Sequence, residues 1–213
     1  MTVLVLDPRW PNLIPMDVVA RVHGPVEFTS EVPVSVRWDF TDLVPSGEAE
    51  SGPQVGWGWL VTTDPENPDV LQRVARGESL IEVASREDSV FAAVNTMAQA
   101  RKRGEWEQGQ THESLLYYLE QEAGEFAEAV RSRAGDEELK KELSDLLLQV
   151  LFHAEIAKER GAFDFSDVAG AFVEKMRSRA PYLFDGSTGP VGVEEQDRLW
   201  EEGKARERAK NGQ

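Results

Sequence analysis

The chain contains no cysteine. That absence excludes disulfides and thiolate chemistry, and it fits a reducing cytoplasm. No stretch approaches the roughly 20 apolar residues that a membrane-spanning helix needs. The opening MTVLVLDPRWPN has no basic start and meets an acid and a proline almost at once, so it does not read as a signal peptide. Basic residues are in deficit. Against 39 Asp and Glu stand 23 Lys and Arg, a formal charge of -16. A field of that sign repels phosphate backbones, so no nucleic-acid partner is expected. An anionic small substrate is compatible only beside a metal or a local basic patch. What is present suffices for a core: 40 % of residues are hydrophobic and 29 % are charged. The expectation is a soluble, cytoplasmic globular protein with no membrane partner, its 213 residues forming one large domain or two small ones.

The hydrophobic period changes along the chain. Residues 1–85 read as a small α/β domain. Val3-Leu4-Val5-Leu6 is a short buried-type strand followed by the turn signal Asp7-Pro8. Later come a strand over Trp59–Thr62, a turn at Asp64–Pro68, a short helix over Asp69–Ala75, and a strand over Leu80–Ala84. Strand, helix, strand predicts a parallel pair with a crossover of near-minimal length. Thr41 to Gly58, rich in Gly, Ser, Pro and acids, reads as a mobile loop. No phosphate-cradling glycine loop is present in this half, and its role is not readable. From residue 86 the period is helical. A first helix begins near Ser85–Asp88 and stops at Lys102-Arg103-Gly104. A second opens at Thr111 or His112 and closes near Gly135. A third runs from Asp136 to Gly161. A fourth starts with Ser166 as N-cap and ends before Pro181, and a last spans about Val193 to Ala209. Residues 86–213 therefore predict a bundle of four or five helices joined by short links, making the protein mainly α.

Acids sit inside this helical pattern. Leu115, Leu119, Glu122 and Phe126 follow at spacings of 4, 3 and 4, so Glu122 occupies the apolar stripe itself, with Glu125 its i+3 neighbour. On the third helix, Leu139, Leu143, Leu146 and Val150 form the expected core row, flanked by Glu142 and Asp145. Two adjacent, antiparallel helices would then each point a carboxylate pair towards the bundle. Two ionised carboxylates about 4 Å apart repel by roughly 4 kcal/mol at an effective dielectric near 20. A bound cation removes that penalty, and all-oxygen ligation fits Mg²⁺ or Mn²⁺ better than zinc. Taken alone, the spacing leaves solvated surface acids as an equal alternative.

QEAGE (Gln121 to Glu125) and ELSD (Glu142 to Asp145) resemble the E-E-x-x-E … E-x-x-D signature of the MazG nucleoside triphosphate pyrophosphohydrolases. GEWEQGQTHESL resembles the segment that enters the first motif helix, and ELSDLLLQVLFHA the second motif helix. FDFSDV and KMRSRAPYLF resemble the family's next helix and its exit, and DRLWEEGK its C-terminal segment, so the resemblance covers about residues 86–208. The first half resembles the N-terminal extension of some actinobacterial-type MazG proteins. The resemblance implies a MazG-like helical domain in which Glu122, Glu125, Glu142 and Asp145 are catalytic and hold Mg²⁺. It also implies that Lys175, Arg179 and Lys204 hold the pyrophosphate end of a nucleoside triphosphate. Trp106 and Trp200 are candidates to border the base, with packing as the competing role. One position departs from the signature: Gln121 stands where the family has its first glutamate.

The implied reaction is hydrolysis of a nucleoside triphosphate to the monophosphate and pyrophosphate, in the service of cleaning up non-canonical or oxidised nucleotides. A nucleotide-sensing or partner-binding module weakened by Gln121 is one alternative. A narrower relative, such as a dimeric dUTPase or a phosphoribosyl-ATP pyrophosphohydrolase, is another. His112 and His153 lack the spacing of a catalytic triad and are assigned to the helix start and to packing. Leu147, Leu148, Leu151 and Phe152 lie on faces that a monomer leaves bare, so a homodimer through the apolar helix over residues 138–160 is expected.

Overall fold

The computed structural model describes residues 2–22, 24–43 and 58–211. They pack as two compact units, Met1–Ala92 and Ala93–Gln213. In the first unit, strands β1 (Thr2–Val5), β2 (Val26–Phe28), β3 (Trp59–Thr62) and β4 (Ser79–Glu82) form one parallel sheet in the order β2-β3-β1-β4. Helices α1 (Met16–Val19), α2 (Val34–Leu43) and α3 (Pro68–Ala75) cover it. Alternation along β1 explains the two faces. Leu4 and Leu6 join Val18, Val22, Val36 and Phe40 in one cluster, whereas Val3 and Val5 join Leu60 and Val70 in another. With both faces covered, β1 and β3 are buried and read as unbroken apolar runs.

β3 and β4 are parallel and linked through α3, yet they do not pair with each other: β1 lies between them and bonds to both. The fully buried Val3–Val5 run takes the centre of the sheet, a pairing that no local signal announces. Thr41 to Leu43 close α2 instead of opening a loop, and the rest of that predicted loop, residues 44–57, lies outside the described residues.

A 3₁₀ turn at Ala84–Glu87 precedes α4 (Ser89–Arg103), followed by the short α5 (Glu105–Gln108), α6 (Leu116–Arg131), α7 (Asp136–Glu159), α8 (Phe165–Arg179) and α9 (Val193–Asn211). Residues 132–135 join α6 to α7, a link short enough to make them antiparallel neighbours. The N-cap of α8 is Asp164, not Ser166: its carboxylate accepts from the Asp167 amide while Asp167 reaches back to the Asp164 amide. Gly203 lets α9 approach α8, because a Cβ there would lie 2.7 Å from the Ser178 carbonyl oxygen.

The core row of α7 differs from the predicted one. Leu143 and Val150 are 52 % and 41 % exposed, whereas Glu142, Gln149, Leu151, Phe152, Ile156 and Ala157 are buried. Met97, Leu115, Leu151, Phe152 and Ile156 form the apolar cluster of this unit. Leu151 and Phe152 are therefore interior, and of the face expected to be bare only Leu147 and Leu148 are exposed. Among the described residues no helix is long and apolar enough to cross a membrane.

Candidate metal centre

α6 carries Glu122 in the stripe that faces α7, and α7 presents Glu142 and Asp145 one turn apart. One carboxylate oxygen from each of the three lies within 4.8 Å of the others. Burial raises the Glu122 pKa above its ordinary value, and the charges of Glu125, Asp145 and Glu142 push in the same direction. Glu142 behaves oppositely: the hydrogen bond from Lys141 Nζ to its Oε1, 2.6 Å long, holds its pKa down. Lys141 Nζ also lies 3.9 Å from Asp145 and 3.8 Å from Glu138. The other oxygen of Glu142, Oε2, is buried and has no hydrogen-bond partner. An orphaned acceptor on a residue that meets two further carboxylates fits a divalent cation well.

Glu125, the fourth predicted acid, is exposed and its Oε1 accepts 2.8 Å from Gln121 Nε2. The structure therefore gathers Glu122, Glu142 and Asp145, and holds Glu125 in an i,i+4 pair beside them. Beyond the acids, Trp106 of α5 packs edge-on to Tyr118 of α6 and Phe152 of α7, with ring centres 5.8 and 6.0 Å away.

The predicted cations gather elsewhere in the unit, where α8 meets α9. Arg179 and Lys204 line a cavity of about 230 Å³ with Glu207 and Arg208. Each is paired: Arg179 Nη2 donates to Glu207 at 2.5 Å, and Lys204 Nζ to Glu201 at 2.8 Å. The Arg179 guanidinium lies 5.2 Å from the ring centre of Trp200, so that tryptophan joins the cation group. Lys175 is exposed one turn before Arg179. His112 and His153 stack 5.0 Å apart with their Nδ1 atoms 2.7 Å from each other, and Arg160 donates to His112 Nε2. That pair pins α7 to the turn before α6.

Two residues at the centre escape the motif pattern. Lys141 precedes Glu142 directly and Asp145 by four residues, a spacing that puts a lysine beside the second acid. Gln149 follows Asp145 by four, a polar residue in the otherwise apolar run LLLQVLF. Both signals are visible in the spacing alone.

Residues 1–81 match the MazG N-terminal domain and residues 110–184 match the MazG nucleotide pyrophosphohydrolase domain. A nucleoside triphosphate pyrophosphohydrolase of Mycolicibacterium smegmatis is 41 % identical over 98 % of this chain, and one of Mycobacterium tuberculosis is 38 % identical over 99 %. The chain spans 63 % of the length of each of these two relatives. A nucleoside triphosphate pyrophosphohydrolase/pyrophosphatase of Thermotoga maritima is 45 % identical over 50 % of this chain and 39 % of its own. Both MazG domains are thus present in order, together with the acid pairs that the resemblance rested on, and the chain belongs to the MazG family.

Proposed function

We propose that this protein hydrolyses nucleoside triphosphates, by water attack at the α-phosphorus, to the nucleoside monophosphate and pyrophosphate. The observation that carries the reading is the meeting of Glu122, Glu142 and Asp145 across α6 and α7, with one buried carboxylate oxygen left unbonded. A divalent cation such as Mg²⁺ or Mn²⁺ held there would supply positive charge against the phosphate groups. Glu122, Glu142 and Asp145 would hold the ion, and Glu125 could join them only by giving up its Gln121 partner. Gln121 orients water but has no basic atom to take its proton, which leaves that task to one of the four carboxylates. Lys175, Arg179 and Lys204 receive the pyrophosphate end, Arg179 and Lys204 leaving Glu207 and Glu201 to do so. Trp106 borders the base, whereas Trp200 takes the competing packing role beside Arg179. The substrates in this reading are non-canonical or oxidised nucleotides.

Leu143, Leu147, Leu148 and Val150 support a homodimer through α7, because all four are more than two-fifths exposed in the single chain. The decisive experiment is anion-exchange analysis of products from a panel of triphosphates with Mg²⁺. Monophosphate and pyrophosphate are expected from the wild type and neither from Asp145→Ala, whose helix content stays unchanged. Orthophosphate as the product, or full activity in Asp145→Ala, refutes the reading. Turnover of a single base would mark a narrow relative instead of a sanitising enzyme.

A further inference from the structure

Gln149 follows Glu142 by seven residues and Asp145 by four, so it shares with them the side of α7 that faces α6. Its side chain is buried, 3 % exposed, and its Oε1 has no hydrogen-bond partner. Natural interiors rarely leave such an atom unbonded, because the desolvation cost is not recovered. The position explains it. Three residues further along α7 is Phe152, whose ring meets Trp106, which in turn meets Tyr118, four residues before Glu122 on α6. Gln149 thus lies about one helical turn, roughly 6 Å of rise, from Asp145, on the way to an aromatic cluster. Towards the start of α7 the acids are flanked by Lys141 and Glu138.

Resting on the triphosphate reading above, we infer that the Gln149 carboxamide receives the nucleoside part of the substrate. Its Oε1 accepts a hydrogen bond from a donor on the sugar or the base, and so helps set which triphosphates are turned over. Along α7 the acids mark the phosphate end, the rings of Trp106, Tyr118 and Phe152 the far end, and the amide the middle. Trp106 is 51 % exposed, so the ring cluster that ends this line is open to solvent on its α5 side.

The test compares the wild type with Gln149→Met, of similar volume, and Gln149→Asn, which retracts the amide. Each is assayed on deoxynucleoside triphosphates, on their 3′-deoxy analogues and on methyl triphosphate, which has no nucleoside. Gln149→Met should lower kcat/KM for nucleoside triphosphates by about 10- to 100-fold, mainly through KM, and leave methyl triphosphate turnover and calorimetric Mg²⁺ binding unchanged. Its unfolding temperature should rise, because an orphaned acceptor has gone. A wild-type loss of the same size on the 3′-deoxy analogues places the donor on the sugar; a loss confined to bases without a donor places it on the base. Equal losses on methyl triphosphate, unchanged kcat/KM, or lower stability in both variants would make Gln149 a packing residue and overturn the inference. A wild type inactive on every triphosphate removes the underlying reading as well, whereas an active wild type with an equally active Gln149→Met removes this inference alone.

Discussion

Replacing Arg101 with methionine asks how this unit holds Trp106 in place. Arg101 is 7 % exposed. Its Nη1 donates to the carbonyls of Glu107 at 2.5 Å and Gln110 at 3.1 Å, its Nε donates to Glu159 Oε1 at 3.0 Å, and its Nη2 donates to Glu159 Oε2. One guanidinium on α4 therefore ties the segment containing α5 to the last turn of α7. Methionine fills much of the stem's volume and supplies no donor. Each orphaned carbonyl costs about 1.5 kcal/mol as the lost partner of a charged donor. The bonds to Glu159, which is 44 % accessible, add no more than about 1 kcal/mol after solvent screening. The sum is about 3–4 kcal/mol, equivalent to a fall of roughly 10 °C or more in the unfolding midpoint of a unit this size. The effect depends on pH. The Arg101 hydrogen bond holds the Glu159 pKa below its ordinary 4.5. A depressed carboxylate contributes stability that is present above the unfolded value and is lost as pH falls through the folded one. The gap between wild type and Arg101→Met should therefore be widest near pH 7 and narrow below 4.5, as followed by circular dichroism with tryptophan fluorescence. Midpoints that coincide at pH 7, or a gap that widens in acid, would refute the clamp. The loosened α5 should also raise KM more than it changes kcat.

Calorimetric scans with Mg²⁺ at about 100 times its dissociation constant should show some 2.7 kcal/mol of added stability, most of which Asp145→Asn should lose. An equal shift in both proteins would exclude the three-acid cluster as the binding place. Gln121→Glu removes the donor that holds Glu125 and adds a charge beside the cluster. A modest gain in turnover, largest at high Mg²⁺, is expected; a loss with weaker Mg²⁺ binding would mean that the pocket is built around a neutral amide.

The legible parts of this chain are those whose cause is local. α7 is marked by its acidic first turn and 24-residue pattern, and α8 by polar capping groups before an apolar stripe. β1 and β3 read as buried runs because both their faces are covered. The hidden parts depend on distant partners. β2 has only three residues and is defined by its pairing with β3, and β1 enters between β3 and β4 without any sequence mark. The same division applies to the candidate site. Helical spacing suffices to bring Glu122, Glu142 and Asp145 together, but Glu125 pairs with Gln121 instead. Likewise Leu143 and Leu151 are equally apolar, and only the packing of neighbouring helices decides that the second is covered.

Burial of a polar group has two different meanings in this unit. Arg101 is buried with its donors bonded to carbonyls and a carboxylate, so its free energy is accounted for within the chain. Glu142 Oε2 and Gln149 Oε1 are equally hidden and bonded to nothing. Gln99 Oε1 is the remaining such atom among the described residues of the unit, and nothing in the structure explains it. The first two differ because they lie on one ridge of α7, seven residues or about 10.5 Å apart, with Asp145 between them. An isolated orphan is a local defect; two in register along a helix, flanked by carboxylates at one end and rings at the other, define a line. A ligand that offers a metal-bound phosphate at one end and a hydrogen-bond donor at the other satisfies both atoms at once. The stability that the free protein forgoes along this ridge is then recovered on binding, which is the arrangement expected of a site shaped for its ligand and not for the empty fold.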